Sequence, residues 1–307
     1  MGKNRGLKYV FLIGMIITAH RNPIYCQESQ DYFEGVFEYG LIPSLGDTNL
    51  EKYVFSLNAI KNLNSGKLEL GLDYLAHTFS FYNSSAILGT DSYDKTHTVQ
   101  PEIGYHQNFG SKWAISVSAA PMLSSNFKNG LNNEDFIFNW SALVSKKWGK
   151  GDFPVSLTMG LGRGIILGEP GLFPILSFQG KITPKWRYIL GFPYSKVAYK
   201  IDEKHSLSSK AIVSGIYVNN SETVSVNGLD NLEHTKLTYN GINLGLEYNY
   251  HMSSGFIVVI RTGFTMANNL KVLDSNDNPL FDFEINSSPY VVMGLKYSLN
   301  FTNKSRK

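Results

Sequence analysis

One cysteine in 307 residues leaves nothing from which to build a disulfide framework or a cysteine-rich metal module. Charge is scarce as well, at 17% of residues. Residues 1–26 hold Lys3, Arg5, Lys8 and Arg21 and no acid, so the remainder carries 24 bases against 25 acids. A near-neutral chain without a basic block offers no electrostatic footprint for nucleic acid. Sustained helical spacing is missing, and no apolar run beyond Ala19 is long enough to cross a membrane as a helix. A chain of this kind that meets a membrane must do so as a closed β-barrel, the other structure that satisfies every backbone group in hydrocarbon. The 43% hydrophobic share excludes a disordered chain.

What is present begins with an address. Met1 to Lys8 is basic, Tyr9 to Ala19 is an apolar run of 11 residues, and polar residues resume at His20. This reads as a secretory signal peptide over 1–26. Cleavage is expected after Cys26, with Gln27 first in the mature chain. A lipidated Cys26 is the other reading, and the bulky Pro23-Ile24-Tyr25 before it weighs against that.

The mature chain has a period of two. Phe136, Phe138, Trp140, Ala142 and Val144 alternate with Ile137, Asn139, Ser141, Leu143 and Ser145, and Val291 to Phe301 repeats the pattern. Strands with one apolar and one polar face read this way. Fourteen are predicted, at 33–41, 52–62, 67–81, 98–109, 112–122, 135–148, 153–166, 172–181, 185–192, 195–201, 205–219, 236–250, 255–267 and 285–301. The first strand and the pair flanking Pro193 are the weakest, so twelve is the alternative. Short turns alternate with longer polar loops near 42–51, 83–97, 123–134, 220–235 and 268–284, as in a barrel with tight periplasmic turns and extracellular loops. Phe79 and Phe81, Trp148, Trp186 and Tyr188, Tyr248 and Tyr250, and Tyr297 and Phe301 fall near strand ends, where interfacial girdles are expected. Against a soluble β-sandwich stand the strand lengths, often twelve residues or more. The fold class is therefore all-β, a transmembrane antiparallel up-and-down barrel over 27–301 with a tail at 302–307.

Two segments carry a resemblance. SSNFKNGLNNEDFIFNWSALVSKKW at 124–148 and FPILSFQGKITPKWRYILGFPYSKVAYKIDEKHSL at 173–207 resemble an uncharacterised outer-membrane β-barrel family of Gram-negative bacteria, and the likeness extends loosely over 30–301. It implies a single barrel in the outer membrane and carries over no activity and no site. Gly294, Tyr297, Leu299 and Phe301 resemble the closing strand of such barrels, although Thr302 to Lys307 follow it.

With the apolar faces turned outward, the inward charges can be named. Glu69, Asp73, Glu102, His106, Arg187, Lys196, Lys200, Glu247, Arg261 and Lys296 are the candidate lumen-lining residues, with His77 on the same phase as Asp73. An Arg or Lys facing mid-membrane lipid costs about 2–4 kcal/mol, which favours the lumen. These charges either set up a transverse field that orients a polar solute or neutralise one another and fix strand register. No Gly-x-Ser-x-Gly elbow, zinc spacing or calcium loop occurs, so no catalytic residue, metal or cofactor is expected. The expected function is passive passage or binding of a small solute. A surface-interaction barrel using its loops is the alternative, and a membrane-embedded lipid hydrolase a more distant one. Outer-membrane lipid and the barrel-assembly machinery are the implied partners.

Overall fold

Residues that alternate in polarity cannot hide both faces in one core, and the strands solve this by closing into a ring. The computed structural model describes residues 31–82, 87–149 and 153–301. The expected signal peptide and the 302–307 tail lie outside the described residues. The first seven barrel strands are β1 (Asp31–Ile42), β2 (Thr48–Asn62), β3 (Gly66–Phe81), β4 (Lys95–Phe109), β5 (Trp113–Ser125), β6 (Phe136–Trp148) and β7 (Val155–Gly164). The other seven are β8 (Gly171–Lys181), β9 (Trp186–Phe192), β10 (Tyr194–Lys200), β11 (His205–Asn219), β12 (Lys236–His251), β13 (Phe256–Leu273) and β14 (Ser288–Phe301). Each pairs antiparallel with the next, and β1 closes on β14 from Asp31↔Phe301 to Leu41↔Val291. Closure leaves the barrel wall itself without a free sheet edge. The strand count is fourteen, and the twelve-strand alternative is set aside.

The outward face is apolar all the way round. Phe37, Phe55, Ile103, Val117, Leu161, Leu176, Leu190, Leu207, Leu246, Ile260 and Met293 are exposed, while the intervening Ser56, Gln100, Ser156, Gln179, Ser208, Lys210 and Glu247 are buried. Aromatics collect at the end that carries the short turns. Trp186 packs on Tyr199 with ring centroids 4.7 Å apart, Phe256 on Tyr297 at 4.6 Å, and Lys146 lies over the rings of both Trp113 and Trp148.

The other end departs from what the sequence predicts. β9 and β10 have seven residues each and are joined by Pro193 alone, whereas β11, β12 and β13 have 15, 16 and 18. Beyond Tyr194↔Ile212, β11 has lost its β10 partner and runs on paired with β12. The surplus lengths (213–219, 236–241 and 268–273) form a blade that bends into the mouth of the barrel. Its bend is marked by an irregularity between β12 and β13, where Ala267 takes φ 51°. Tyr239 Oη and Thr265 Oγ1 both hydrogen-bond Asn268 Oδ1, at 3.0 and 2.6 Å. Gly241 leaves room for that clip, since a Cβ there would lie 2.4 Å from Asn268 Oδ1 and displace it. The expected loop at 268–284 is thus largely strand: β13 runs on to Leu273, and Pro279–Asp282 pairs back against it.

Both faces of the blade are covered. Ile216, Val218, Leu237, Tyr239, Leu270 and Val272 pack against Leu45, Leu50, Phe79, Ile87, Tyr93 and Phe283. The hairpin of Val224–Val226 and Leu229–Leu232 pairs with Ile87–Leu88 over the same cluster. On the reverse face, Tyr217 and Leu273 pack with Ile165 and with Met122 and Ile137, which face inward from β5 and β6. Phe79, expected in an interfacial girdle, is 1% exposed and belongs to this cap, with Phe81 packed against it. Burial there pushes the Tyr93 phenol up to about 12, and its hydroxyl sits 2.6 Å from Thr235 Oγ1. The tip of the blade is stitched to the opposite wall, where Asn219 pairs with Ser125 of β5 and donates from Nδ2 to Asp135 Oδ1 at 2.7 Å.

Candidate solute-binding lumen

Below the cap the lumen has two unlike walls. On β5, β6 and β7 the inward positions include hydroxyls that satisfy one another in cross-strand pairs: Ser118 with Ser141 at 2.9 Å and Ser145 with Thr158 at 2.8 Å. The other wall is charged, because the inward phase of β10 to β14 and of β1 falls on long ionic side chains.

Glu247 on β12 is the hub of that wall, at 1% side-chain exposure. Lys210 of β11 donates to its Oε2, and Arg261 of β13 reaches the same oxygen from Nε at 2.9 Å and Nη2 at 2.8 Å. Lys196 Nζ of β10 lies 3.8 Å from Oε1. Arg261 Nη2 also contacts Glu38 Oε1 of β1 at 3.2 Å, and Lys296 Nζ of β14 is 3.9 Å from that atom. One ladder of charge therefore spans β10 to β14 and crosses the β14–β1 seam. A buried ion is tolerated only when partnered this closely. Four cations share two carboxylates in this ladder, so its members are paired and the wall keeps an excess of positive charge.

The remaining candidates separate by height. Asp73 is buried on β3, directly opposite Ser56 and Gln100. Glu69 lies opposite Gly104, and Glu102 opposite Gly71. Arg187 and Lys200 are exposed at the turn-side rim, Arg187 opposite Lys181 and Lys200 paired with Glu203 at 2.7 Å. They do not join the ladder. His106 Nδ1 sits 2.8 Å from Ser116 Oγ, and its Nε2 3.3 Å from Asn108 Oδ1. The three match a hydrolase relay in composition, but His106 and Ser116 are directly opposite cross-strand neighbours, so register alone brings them together.

Three residues central to the lumen escape prediction from the sequence: Glu38, Lys52 and Lys210. Glu38 had a signal, since Phe37 and Tyr39 flank it with outward apolar side chains. Lys210 had none, lying in Ser208-Ser209-Lys210-Ala211 where alternation fails.

Structural relatives share the barrel shape at low identity. The translocator domain of the autotransporter NalP from Neisseria meningitidis is 13% identical, with 89% of this chain and 90% of that one covered and a TM-score of 0.37. The NanC porin is 13% identical over 87% of this chain and 100% of its own, with a TM-score of 0.35. The COG4313 outer membrane channel from Pseudomonas putida F1 is 9% identical over 89% and 96%, with a TM-score of 0.39. No curated protein sequence matches the chain. A family model described as a domain of unknown function, DUF6268, matches residues 70–298. That span takes in all or part of twelve of the fourteen strands, and the chain belongs to the DUF6268 family.

Proposed function

We propose that the protein is a barrel of the bacterial outer membrane that takes a small polar solute into its lumen from the turn side, with the loop-side mouth held shut by the inward blade. The observation that carries the membrane reading is the belt of exposed apolar side chains around the full circumference. Soluble proteins rarely leave a contiguous apolar surface of such extent in water. Lipid is the partner that covers it, and the turn side, where both ends of the barrel emerge, is the periplasmic one. In a Gram-negative host the leader at 1–26 would deliver the chain for export and the barrel-assembly machinery would insert it.

A polar lumen beneath an apolar cap supports a gated or binding role over a permanently open pore. Loop-based adhesion is less well supported, since the 87–93 and 224–232 segments are spent on the cap. Planar-bilayer recording of the full chain tests this. Wild type should give rare, brief openings, and replacing 217–238, the blade tip with its hairpin, by a short turn between Ile216 and Tyr239 should give steady ones, with folding verified by heat-modifiable gel mobility. A chain monodisperse in plain buffer, or a trimmed variant as silent as wild type, would overturn the reading.

A further inference from the structure

Charge on the ladder does not balance, and the loosely held members are the ones that water reaches. Lys210 and Arg261 are sealed in, with side chains 5% and 8% exposed, and both hydrogen-bond Glu247. Lys196 and Lys296 stand apart from them. Their side chains are 17% and 20% exposed, and their ammonium groups lie 3.8 Å from Glu247 and 3.9 Å from Glu38, beyond hydrogen-bonding distance. The two ammoniums are near enough to repel one another. Lys196 is also directly opposite Lys210 on β11. Like charges so placed destabilise a sheet. Glu34 of β1 is a third carboxylate acting on Lys196, and it still leaves the four cations one charge over. Lys52 and Asp73, on the neighbouring β2 and β3, add one charge of each sign.

The way in is cationic as well. Lys181, Arg187 and Lys200 carry the lumenal phase of β8, β9 and β10 to the turn-side mouth, with Lys181 directly opposite Arg187. Lys67 and Lys147 stand in the same phase on β3 and β6. Glu69, two residues deeper than Lys67, and Glu203, paired with Lys200, offset two of these five charges. Exposure falls from 45% at the Lys200 side chain to 17% at Lys196 and 5% at Lys210. Solvent therefore enters from the turn side and stops at the ladder.

We propose that Lys196 and Lys296 hold the charged group of a small organic anion, a carboxylate or a phosphate, admitted through the basic turn-side mouth. The site rests on the solute-taking lumen proposed above and gives it a substrate class. An anionic oxygen seated between the two ammoniums replaces their repulsion with charge-assisted hydrogen bonds. It also cancels the charge left over, which a neutral solute would leave in place and a cation would increase. An ammonium is a point charge without a planar fork, so it takes carboxylate and phosphate alike.

Equilibrium dialysis of the full-length protein in detergent tests this, with labelled succinate in one arm and labelled glycerol 3-phosphate in the other. Potassium chloride at about 0.1 M supplies a simple counterion and screens charges more than about 10 Å apart. At least one of the two anions should bind saturably, and maltose and choline should not displace it. Lys196→Met and Lys296→Met should each weaken binding about tenfold or more, and Lys196→Arg should keep most of it. Lys61→Met, at an exposed rim lysine on the outward phase of β2, should leave binding unchanged. The bound anion should also raise the urea midpoint of wild type, a readout that does not depend on any variant folding. Equal affinity in wild type and both Met variants would overturn the site. Displacement by maltose or choline would overturn the substrate class. Binding of neither anion would overturn both, while steady openings of the barrel lacking 217–238 would leave the solute-taking lumen standing.

Discussion

At the scale of single residues, the lumen is held by Glu247. Removing it would strand Lys210 and Arg261, both buried, without their shared acceptor. Breaking a buried pair from one side costs about 3–5 kcal/mol. Glu247→Ala should lose about that much in urea unfolding followed by tryptophan fluorescence, while Lys196→Met, whose ammonium lies 3.8 Å off, should lose far less. Equal stability of the two variants would show that the ladder does not hold the wall. Part of this network was legible in the sequence. Glu247 and Lys296 stand between outward apolar neighbours and declare their direction, and Arg261 follows the outward Ile260. The partners that join them across strands depend on register, and a single chain read residue by residue does not disclose register.

At the scale of elements, what escaped the sequence is the blade. A period of two marks a strand with two unlike faces, and it reads the same whether the apolar face meets lipid or a dry cap. Phe79 illustrates this, alternating as a girdle residue would yet pointing inward. Asn268-Asn269 reads as the start of a loop, although Leu270 and Val272 resume the alternation on the far side of the irregularity. The turn-like connections and the long central strands were legible because Gly, Pro and Asp mark them chemically. Gly215 gives a test of the blade. A Cβ at this position would lie 1.8 Å from the carbonyl oxygen of Ile165, whose segment seals the reverse face. Gly215→Ala should displace that segment at a cost of about 1–3 kcal/mol and speed protease cleavage near 165–170 in the folded barrel. Cleavage at the wild-type rate would mean that the segment does not seal the blade.

At the scale of the whole molecule, the solvent around the belt decides what a surface charge costs. Leu246 is 54% exposed on the outward face of β12. In water, exchanging it for a charged residue would matter little. In a bilayer, Leu246→Arg should destabilise the barrel by about 2–4 kcal/mol, measured as a shift in the unfolding midpoint in lipid vesicles. A neutral substitution would place the belt outside the membrane.

The cap joins residues from the two ends of the chain. Leu45, Leu50 and Phe79 come from its first third, and Leu237, Leu270 and Val272 from its last. They become neighbours only once β1 has zipped onto β14. During folding the cap end of the barrel must therefore stay unsealed until the final hairpin docks, so a chain arrested before that step would be leaky where the finished protein is tight.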